Sequence, residues 1–600
     1  MNLSSLKHLV NKYKYLYTIL LSFFIFYYFC LPTSLFTNQF STVVYDRDGN
    51  LAGARIAGDG QWRFPDDSIV SEKFNKAIIT FEDQYFRYHP GFNPVSILRA
   101  VKQNIEAGKI ISGGSTISVQ VIRLFRNHKK RSIIEKIIEI FLSTRLEVGY
   151  SKNEILRLYS LNAPFGGNVV GINAASWRYF GRSPKNLSWA EAALLAILPN
   201  SPSSIHPGKN REHLLNKRNL LLKRLYVKGA MDKNMYELSL LEPIPIKPLP
   251  LPDFCPQLTE LLKNKYKGKA IESTIKCSIQ ENISRIVLDY SNQLQINEIH
   301  NACVLVLEVN TGNVLAYVGN VPGISSVNDG REVDLIQASR STGSILKPLL
   351  YTAMLQEGLI LPGTLIPDIP TRISGFKPDN YDLSFDGAVP AKRALARSLN
   401  IPAVRMLQNY GVPKFQNFLQ KMGMQTLVFS PEHYGLTLIV GGAEGKLWDI
   451  VGIYAGLART LNSYTAYNRY SGDLIHPPVI CYQKSGSGIN KNNSETPVIV
   501  NAGAIWSTFE ALIEVNRPEE EAGWVNLSSS RKIAWKTGTS YGFRDAWAIG
   551  TTPEFVVGVW VGNADGEGRP GLTGVGSAAP LLFRVFNTLP QTSWFQKPFD

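Results

Sequence analysis

The sequence predicts a multidomain protein with an N-terminal transmembrane helix, a mainly α-helical domain and, after a linker, an α+β domain. Three observations predict this. The 600 residues are too many for one hydrophobic core. Residues 15–45 carry no charge, and 17–36 are apolar enough and long enough to cross a bilayer as a helix. Helix-period runs at 71–81, 131–139 and 187–196 then give way to strand-like runs at 302–318 and around Lys536.

The charge balance bounds the partners. Lys and Arg number 63 against 48 Asp and Glu, a net +15 that suits an anionic membrane surface or a pyrophosphate-bearing substrate as well as nucleic acid. No helix-turn-helix pattern, zinc-finger spacing or RNA-binding aromatic motif is present, so nucleic acid is the poorer choice. The cysteines, Cys30, Cys255, Cys277, Cys303 and Cys481, lie far apart and form neither a Cys-x-x-Cys pair nor a disulfide framework. None is read as catalytic.

Taken in order, the chain begins with Lys7, Lys12 and Lys14 ahead of the apolar run, which puts residues 1–14 in the cytoplasm and 15–36 in the membrane as a retained anchor. A cleaved signal peptide is the rival; the run is long and no Ala-x-Ala-like site follows it. The remaining chain is then expected outside the membrane.

Residues 45–230 form the first region. The helix read over 71–81 delivers Glu82 and Asp83, with Phe86 and His89 close behind. Gly113-Gly114-Ser115-Thr116 reads as a glycine turn opening a helix that carries Gln120, and backbone donors at such a start can hold an anion. Lys136 and Glu139 share a helical face at i and i+3, where the bland alternative is a surface ion pair. The 187–196 helix is core packing.

With those segments together, Glu-Asp-x-x-Phe-x-x-His-x-Gly, Gly-Gly-Ser-Thr-Ile, Lys-x-x-Glu and the run from Ser151 to Asn162 resemble the family 51 peptidoglycan glycosyltransferases. The resemblance implies a lysozyme-like fold that polymerises lipid II. It implies Glu82 as general base, a cleft lined by Asp83, Phe86, His89, Thr116 and Gln120, and Lys136 with Glu139 at the donor pyrophosphate. An acceptor hydroxyl attacking an anomeric carbon needs one carboxylate base, and the pyrophosphate leaving group needs cationic help. Asn93 stands where an aspartate is common in that family, and Ser118-Val119 replaces a more usual polar pair. No motif requires a cofactor. Mg2+ could assist glycosyl transfer through the pyrophosphate, although no dedicated metal-ligand cluster is seen.

Residues 231–269 are read as a linker, its 243–252 stretch alternating proline with apolar residues and therefore stiff and extended. Residues 270–595 form the second region, with a helix over 274–294, paired strands over 302–318, and the stretch Ser341 to Pro348. If 344–353 is a helix, Ser344 sits in its first turn with Lys347 at i+3, a nucleophile beside a base. Ser-x-x-Lys alone is weak, since Ser4/Lys7, Ser273/Lys276 and Ser529/Lys532 also satisfy it. Its company separates Ser344: Ser398-Leu399-Asn400, then Lys536-Thr537-Gly538-Thr539.

That order is similar to the signature of the penicillin-recognising serine enzymes. The resemblance implies a β-lactamase-like α+β domain in which Ser344 attacks a D-Ala-D-Ala carbonyl with Lys347 as base. Ser398 and Asn400 would shuttle protons and orient the substrate amide. Lys536, Thr537, Gly538 and Thr539 would receive the substrate's terminal carboxylate and backbone, and the N–H groups of Ser344 and Thr539 would form the oxyanion hole.

Both motif sets in one chain resemble the class A bifunctional penicillin-binding proteins. Asn162 to Asn168, Ala174 to Gly181 and Ser540 to Trp547 are similar to the 1C subgroup. The resemblance implies a single-pass protein of the inner membrane with periplasmic catalytic domains, acting on lipid II and nascent peptidoglycan and acylated by β-lactams. The chain stops soon after the last transpeptidase-like segment, leaving no room for the further C-terminal domain frequent in that subgroup. Two rivals stay open: a glycosyltransferase whose second domain only binds stem peptides or penicillin, and a hydrolase acting at Ser344 or Glu82.

Overall fold

The structure, a computed structural model, describes all residues except 1–2, 66–70, 109–113, 128–131, 201–209, 324–328, 374, 471–473, 483–497, 519–530 and 600. Gly113, Arg131 and Ser529 from the sequence motifs therefore lie outside the described residues. The chain divides into two compact units, the first Met1–Val43, Ala54–Pro252 and Lys263–Ala270, the second Val44–Gly53, Asp253–Leu262 and Ile271–Asp600. A linear division at the 231–269 linker would give Val44–Gly53 to the first unit. The backbone assigns it to the second, because Ser273 N–H donates to the Tyr45 carbonyl (2.9 Å), Arg47 N–H to Ile275 (2.9 Å) and Phe254 N–H to Ala52 (2.9 Å).

The first unit is helical: α1 Leu3–Phe29, α2 Glu72–Glu82, α3 Pro94–Glu106, α4 Ile117–Phe125, α5 Ile133–Gly149, α6 Lys152–Asn162, α7 Ile172–Phe180, α8 Trp189–Ile197 and α9 Arg211–Val227. Their starts were written locally. Ser71, Asn93, Thr116, Ser132, Ser151 and Ser188 each accept a backbone N–H as N-cap, and Ser151 with Glu154 and Ser188 with Glu191 complete capping boxes. Asn93, the departure noted in the sequence, thus does a cap's work. Helix α2 buries Phe74, Ala77 and Ile78, the face its periodicity predicts, against α8.

Helix α1 differs from its expected bounds. It stops at Phe29 rather than 36, since Pro32 lacks an N–H and restricts the residue before it. Its aromatic side chains meet α5, with Phe23 and Tyr27 rings 6.1 and 5.4 Å from Phe141. Among the described residues no helix is long and apolar enough to cross a membrane.

In the second unit, helix α10 Cys277–Leu294 precedes strands β1 Asn301–Glu308 and β2 Val314–Val318, then helix α11 Lys347–Gln356. The hairpin β3 Leu365–Asp368 and β4 Gly387–Pro390 leads to helices α12 Asn400–Tyr410, α13 Leu447–Tyr467 and α14 Ala502–Ile513. Strands β5 Ala534–Thr539, β6 Asp545–Thr551 and β7 Phe555–Gly562 and helix α15 Ala579–Thr588 close the unit. The sheet is antiparallel in the order β5-β6-β7-β1-β2, so the Lys536 strand is an edge.

Neighbouring positions on a strand face opposite ways. A side chain at Gly558, paired with Ile549, would meet Leu447 and Val451 of α13, whereas one at Gly550 would meet Leu582 and Phe586 of α15. The sheet is therefore sandwiched between helices. That explains why Val304 to Leu307 are all fully buried and read as a continuous apolar run instead of an alternation.

Candidate active sites

In the first unit, α2 ends on Glu82, and Gln120 from α4 donates its Nε2–H to Glu82 Oε2 at 2.8 Å. The neighbouring Asp83 points elsewhere. Its Oδ2 accepts from His89 Nε2 (2.8 Å) and from Ile117 N–H (3.1 Å) at the start of α4, where the helix dipole favours a carboxylate. Gly91 N–H donates to His89 Nδ1 (3.2 Å), so the hydrogen bonds assign the Nε2–H tautomer. Asp83 and His89 are both buried, a strut that ties the end of α2 to α4.

Phe86 and Thr116, expected to line the cleft, are both buried. Phe86 is fully buried under Lys152, whose Nζ lies 4.5 Å from the ring centroid, because an unsubstituted aromatic ring is best kept from water. Thr116 is buried and used up: its Oγ1 caps α4 through Val119 N–H and donates to the Gly91 carbonyl at 2.5 Å.

Lys136 and Glu139 gain a partner that sequence reading missed. Arg123 spans buried Glu139 with a two-pronged contact, Nε to Oε1 at 2.8 Å and Nη2 to Oε2 at 2.9 Å. Lys136 Nζ lies 3.6 Å from Glu139 Oε2 and donates to Ser115 Oγ at 2.8 Å, an oxygen that Arg123 also reaches at 3.3 Å. Glu139 raises the proton affinity of Arg123 above the usual range, with a smaller contribution from Glu82. The Gln120/Arg123 spacing at i and i+3 was the available signal. Arg123→Ala strands a buried carboxylate and is expected to destabilise the first unit by roughly 2–4 kcal/mol, whereas Arg123→Ala/Glu139→Leu costs less. Denaturant melts showing the double variant weaker than the single would refute this.

Among the described residues no group of three His, Cys, Asp or Glu could hold a metal, and Glu135 and Glu139 are spanned by Arg126 and Arg123.

In the second unit, Ser344 lies three residues ahead of the helix it was expected to open. It occupies a turn ahead of α11, whose first residue is Lys347, because Pro348 is accepted only in a first helical turn. Two glycines let the edge strand close on this turn. A Cβ at Gly343 (φ +51°) would sit 2.6 Å from the Thr539 carbonyl oxygen, and one at Gly538 would sit 2.7 Å from the Thr342 carbonyl oxygen and 3.4 Å from the Ser344 nitrogen. Trp547 Nε1 donates to the Ser341 carbonyl at 2.8 Å, and Thr342 Oγ1 to Ala443 at 3.0 Å, fixing the turn from both sides.

Ser398 joins the two lysines. Lys347 Nζ donates to the Ser398 carbonyl and to Asn400 Oδ1, each at 2.7 Å, while Lys536 Nζ donates to Ser398 Oγ at 2.8 Å and to the Thr537 carbonyl at 2.6 Å. Ser398 holds φ +58°, an uncommon backbone state for a residue with a side chain. Burial, and then the Lys536 charge, hold Lys347 well below the usual lysine range, and burial lowers Lys536 to about 7. Thr537 and Thr539 are half-buried, and Thr539 Oγ1 accepts from Gly574 N–H at 2.9 Å while its own proton stays available.

The lysine burial predicts a pH effect. Unfolded, Lys536 keeps its proton to about 10.4; folded, it loses it near 7. Between those values the unfolded chain binds more protons, so stability rises with pH, and the contribution is lost as pH falls through about 7. Wild type is therefore expected to gain more than Lys536→Met in thermal melts between pH 7 and pH 9.5. Equal slopes would sink the assignment.

Residues 56–226 match the transglycosylase family model and residues 302–571 match the penicillin binding protein transpeptidase domain model. Penicillin-binding protein 1C of Escherichia coli K12 is 35% identical over 551 residues, spanning 91% of this chain and 68% of that protein. Penicillin-binding protein 1A of Aquifex aeolicus is 26% identical, over 86% of this chain and 82% of that protein. The crystal structure of penicillin-binding protein 1A from Haemophilus influenzae shares the fold at a TM-score of 0.51 and 18% identity, with 94% of each chain covered.

Proposed function

This chain belongs to the class A, bifunctional penicillin-binding proteins, with a peptidoglycan glycosyltransferase and a transpeptidase domain, and from that premise we propose which residues carry each reaction and where. The observation that carries the reading is the Lys347–Ser398–Lys536 network beside Ser344.

In the first unit, Glu82 takes the proton from the acceptor hydroxyl as that oxygen attacks the anomeric carbon of a lipid-linked donor. Gln120 holds the carboxylate in place. Charge building on the departing pyrophosphate is met by Arg123 and Lys136, which Glu139 keeps in register. Asp83, His89 and Thr116 act by fixing α2 against α4.

In the second unit, a neutral Lys347 accepts the Ser344 proton as Oγ adds to the D-Ala-D-Ala carbonyl. The oxyanion forms against the N–H groups of Ser344 and Thr539, and the terminal carboxylate sits against Lys536, Thr537 and Thr539. Collapse expels D-alanine, its nitrogen protonated through Ser398, and leaves an acyl-enzyme on Ser344. An amine of a neighbouring stem peptide then attacks the ester carbonyl, the amide cross-link forms as the bond to Ser344 Oγ breaks, and the amine proton returns through Lys347 to Oγ.

The protein works at the inner membrane, held by its N-terminal segment with the catalytic units outside. The charge-free residues 15–45 support this, as do the exposed apolar side chains of α1 and of α5, where Ile133, Ile134 and Ile137 face outward. The test is incubation of detergent-solubilised protein with labelled lipid II, followed by muramidase digestion. Cross-linked dimers are expected. Polymer that digests only to monomers would reduce the second unit to a binding module, and no polymer would sink the first assignment.

A further inference from the structure

Helix α12 begins at Asn400 without a local cap: the preceding residue is Leu399, which has no side-chain acceptor. The neighbouring polar groups that could serve are engaged in the site. The Ser398 hydroxyl accepts from Lys536, and the Asn400 amide accepts from Lys347 and donates to the Asp379 carbonyl at 2.9 Å. The cap comes from elsewhere. Asn380, twenty residues earlier, accepts through Oδ1 from Asn400 N–H (2.9 Å) and Ile401 N–H (3.3 Å).

Its amide nitrogen is equally committed, donating to Asp368 Oδ1 at 2.8 Å and to the Ser384 carbonyl at 2.9 Å. Asn380 therefore makes all four hydrogen bonds that an amide offers. Asp368 ends β3, and its second oxygen accepts from Asp386 N–H at 3.0 Å. Both Asp368 and Asn380 are buried. A continuous line of hydrogen bonds thus runs Asp368, Asn380, Asn400, Lys347.

We propose that Asn380, oriented by Asp368, is a positioning residue for acyl transfer: it substitutes for the missing cap of α12 and so fixes Asn400 and the strained Ser398 turn around Lys347. The inference rests on the Ser344 acylation assigned above. Of the groups packed around Lys347 and its turn, Lys536 on β5 titrates near 7 and is charged below that, whereas Asn400 on α12, Ser398 and Tyr454 on α13, which donates to the Ile345 carbonyl, stay neutral. Loosening α12 admits water, which favours the charged form of Lys347 and leaves less of it as base at neutral pH.

The test is the second-order rate of Ser344 acylation by a fluorescent penicillin, measured against pH on the full chain in detergent. Asn380→Ala is expected to slow acylation about 10- to 100-fold, the scale of a small misplacement of reacting groups, and to move the acid limb of the profile to higher pH. Glycan polymerisation at Glu82 should not change. Asn380→Asp breaks the line by setting two carboxylates together, and Asp368→Asn, with one oxygen in place of two, can serve the Asn380 amide or Asp386 N–H but not both, a milder loss. The exchanged pair Asn380→Asp/Asp368→Asn restores an acceptor for α12 and a donor between the two residues, though not the bond to the Ser384 carbonyl, so it should be faster than Asn380→Asp alone without reaching the wild-type rate. A labelled wild type with an unmoved limb and full rate in Asn380→Ala overturns the inference. So does an exchanged pair no faster than Asn380→Asp alone, which also decides the matter if Asn380→Ala does not fold. A wild type that fails to label overturns the Ser344 reading and this inference with it.

Discussion

Ser344→Ala is expected to yield glycan polymer at the wild-type rate with no cross-links and no covalent penicillin. Removing the nucleophile of a group that acts as a unit costs on the order of 10 000-fold or more. Lys347 and Lys536 carry no hydroxyl to form the ester, and the Ser398 hydroxyl is engaged by Lys536. The fold should survive: Ser344 is half-buried in a turn whose fixed contacts come from Ser341, Thr342 and Trp547. Labelling by fluorescent penicillin together with muramidase digests would check both halves. Cross-links persisting in the variant would remove Ser344 from the mechanism, and loss of polymer as well would mean the substitution damages the whole chain.

Glu82→Gln is expected to give the opposite pattern, with polymerisation down about 100- to 10 000-fold, the range for losing a general base, while penicillin still labels Ser344. The introduced amide can turn its oxygen to Gln120 and keep that hydrogen bond, so shape is retained while the proton acceptor is lost. Substrate affinity should move little, so the loss should fall in kcat. Continuous lipid II polymerisation assays would show it. A variant within a few-fold of wild type would transfer the base role away from Glu82.

Much of the second site was legible because its parts are short motifs: Ser344 with Lys347, Ser398 with Asn400, and the single Lys-Thr-Gly. Asn380 was not. Its partners lie twelve residues before it, at the end of β3, and twenty after it, at the start of α12, and no periodicity links them. Arg123 escaped for another reason, since its value depends on α5 packing against α4, and spacing within one helix says nothing of the next. A motif marks positions a fold needs, buried Phe86 and Thr116 among them, without saying whether they touch the substrate or hold its walls. The end of α1 was missed by weighing apolar character over the proline at 32.

The assignment of Val44–Gly53 to the second unit bears on how the chain is made and cut. The hydrogen bonds from Ser273 to Tyr45 close a loop of 228 residues, an entropic cost that grows only with the logarithm of its length but cannot be met until both ends exist. During synthesis from the N-terminus, the first unit's long middle segment emerges and can fold while the 44–53 segment waits for its partners. For the same reason an expression fragment starting at residue 270 would lack that segment along with the one at Asp253–Leu262. Such a fragment is expected to melt below the second unit of the intact chain, and supplying residues 44–53 as a separate peptide should restore part of the difference.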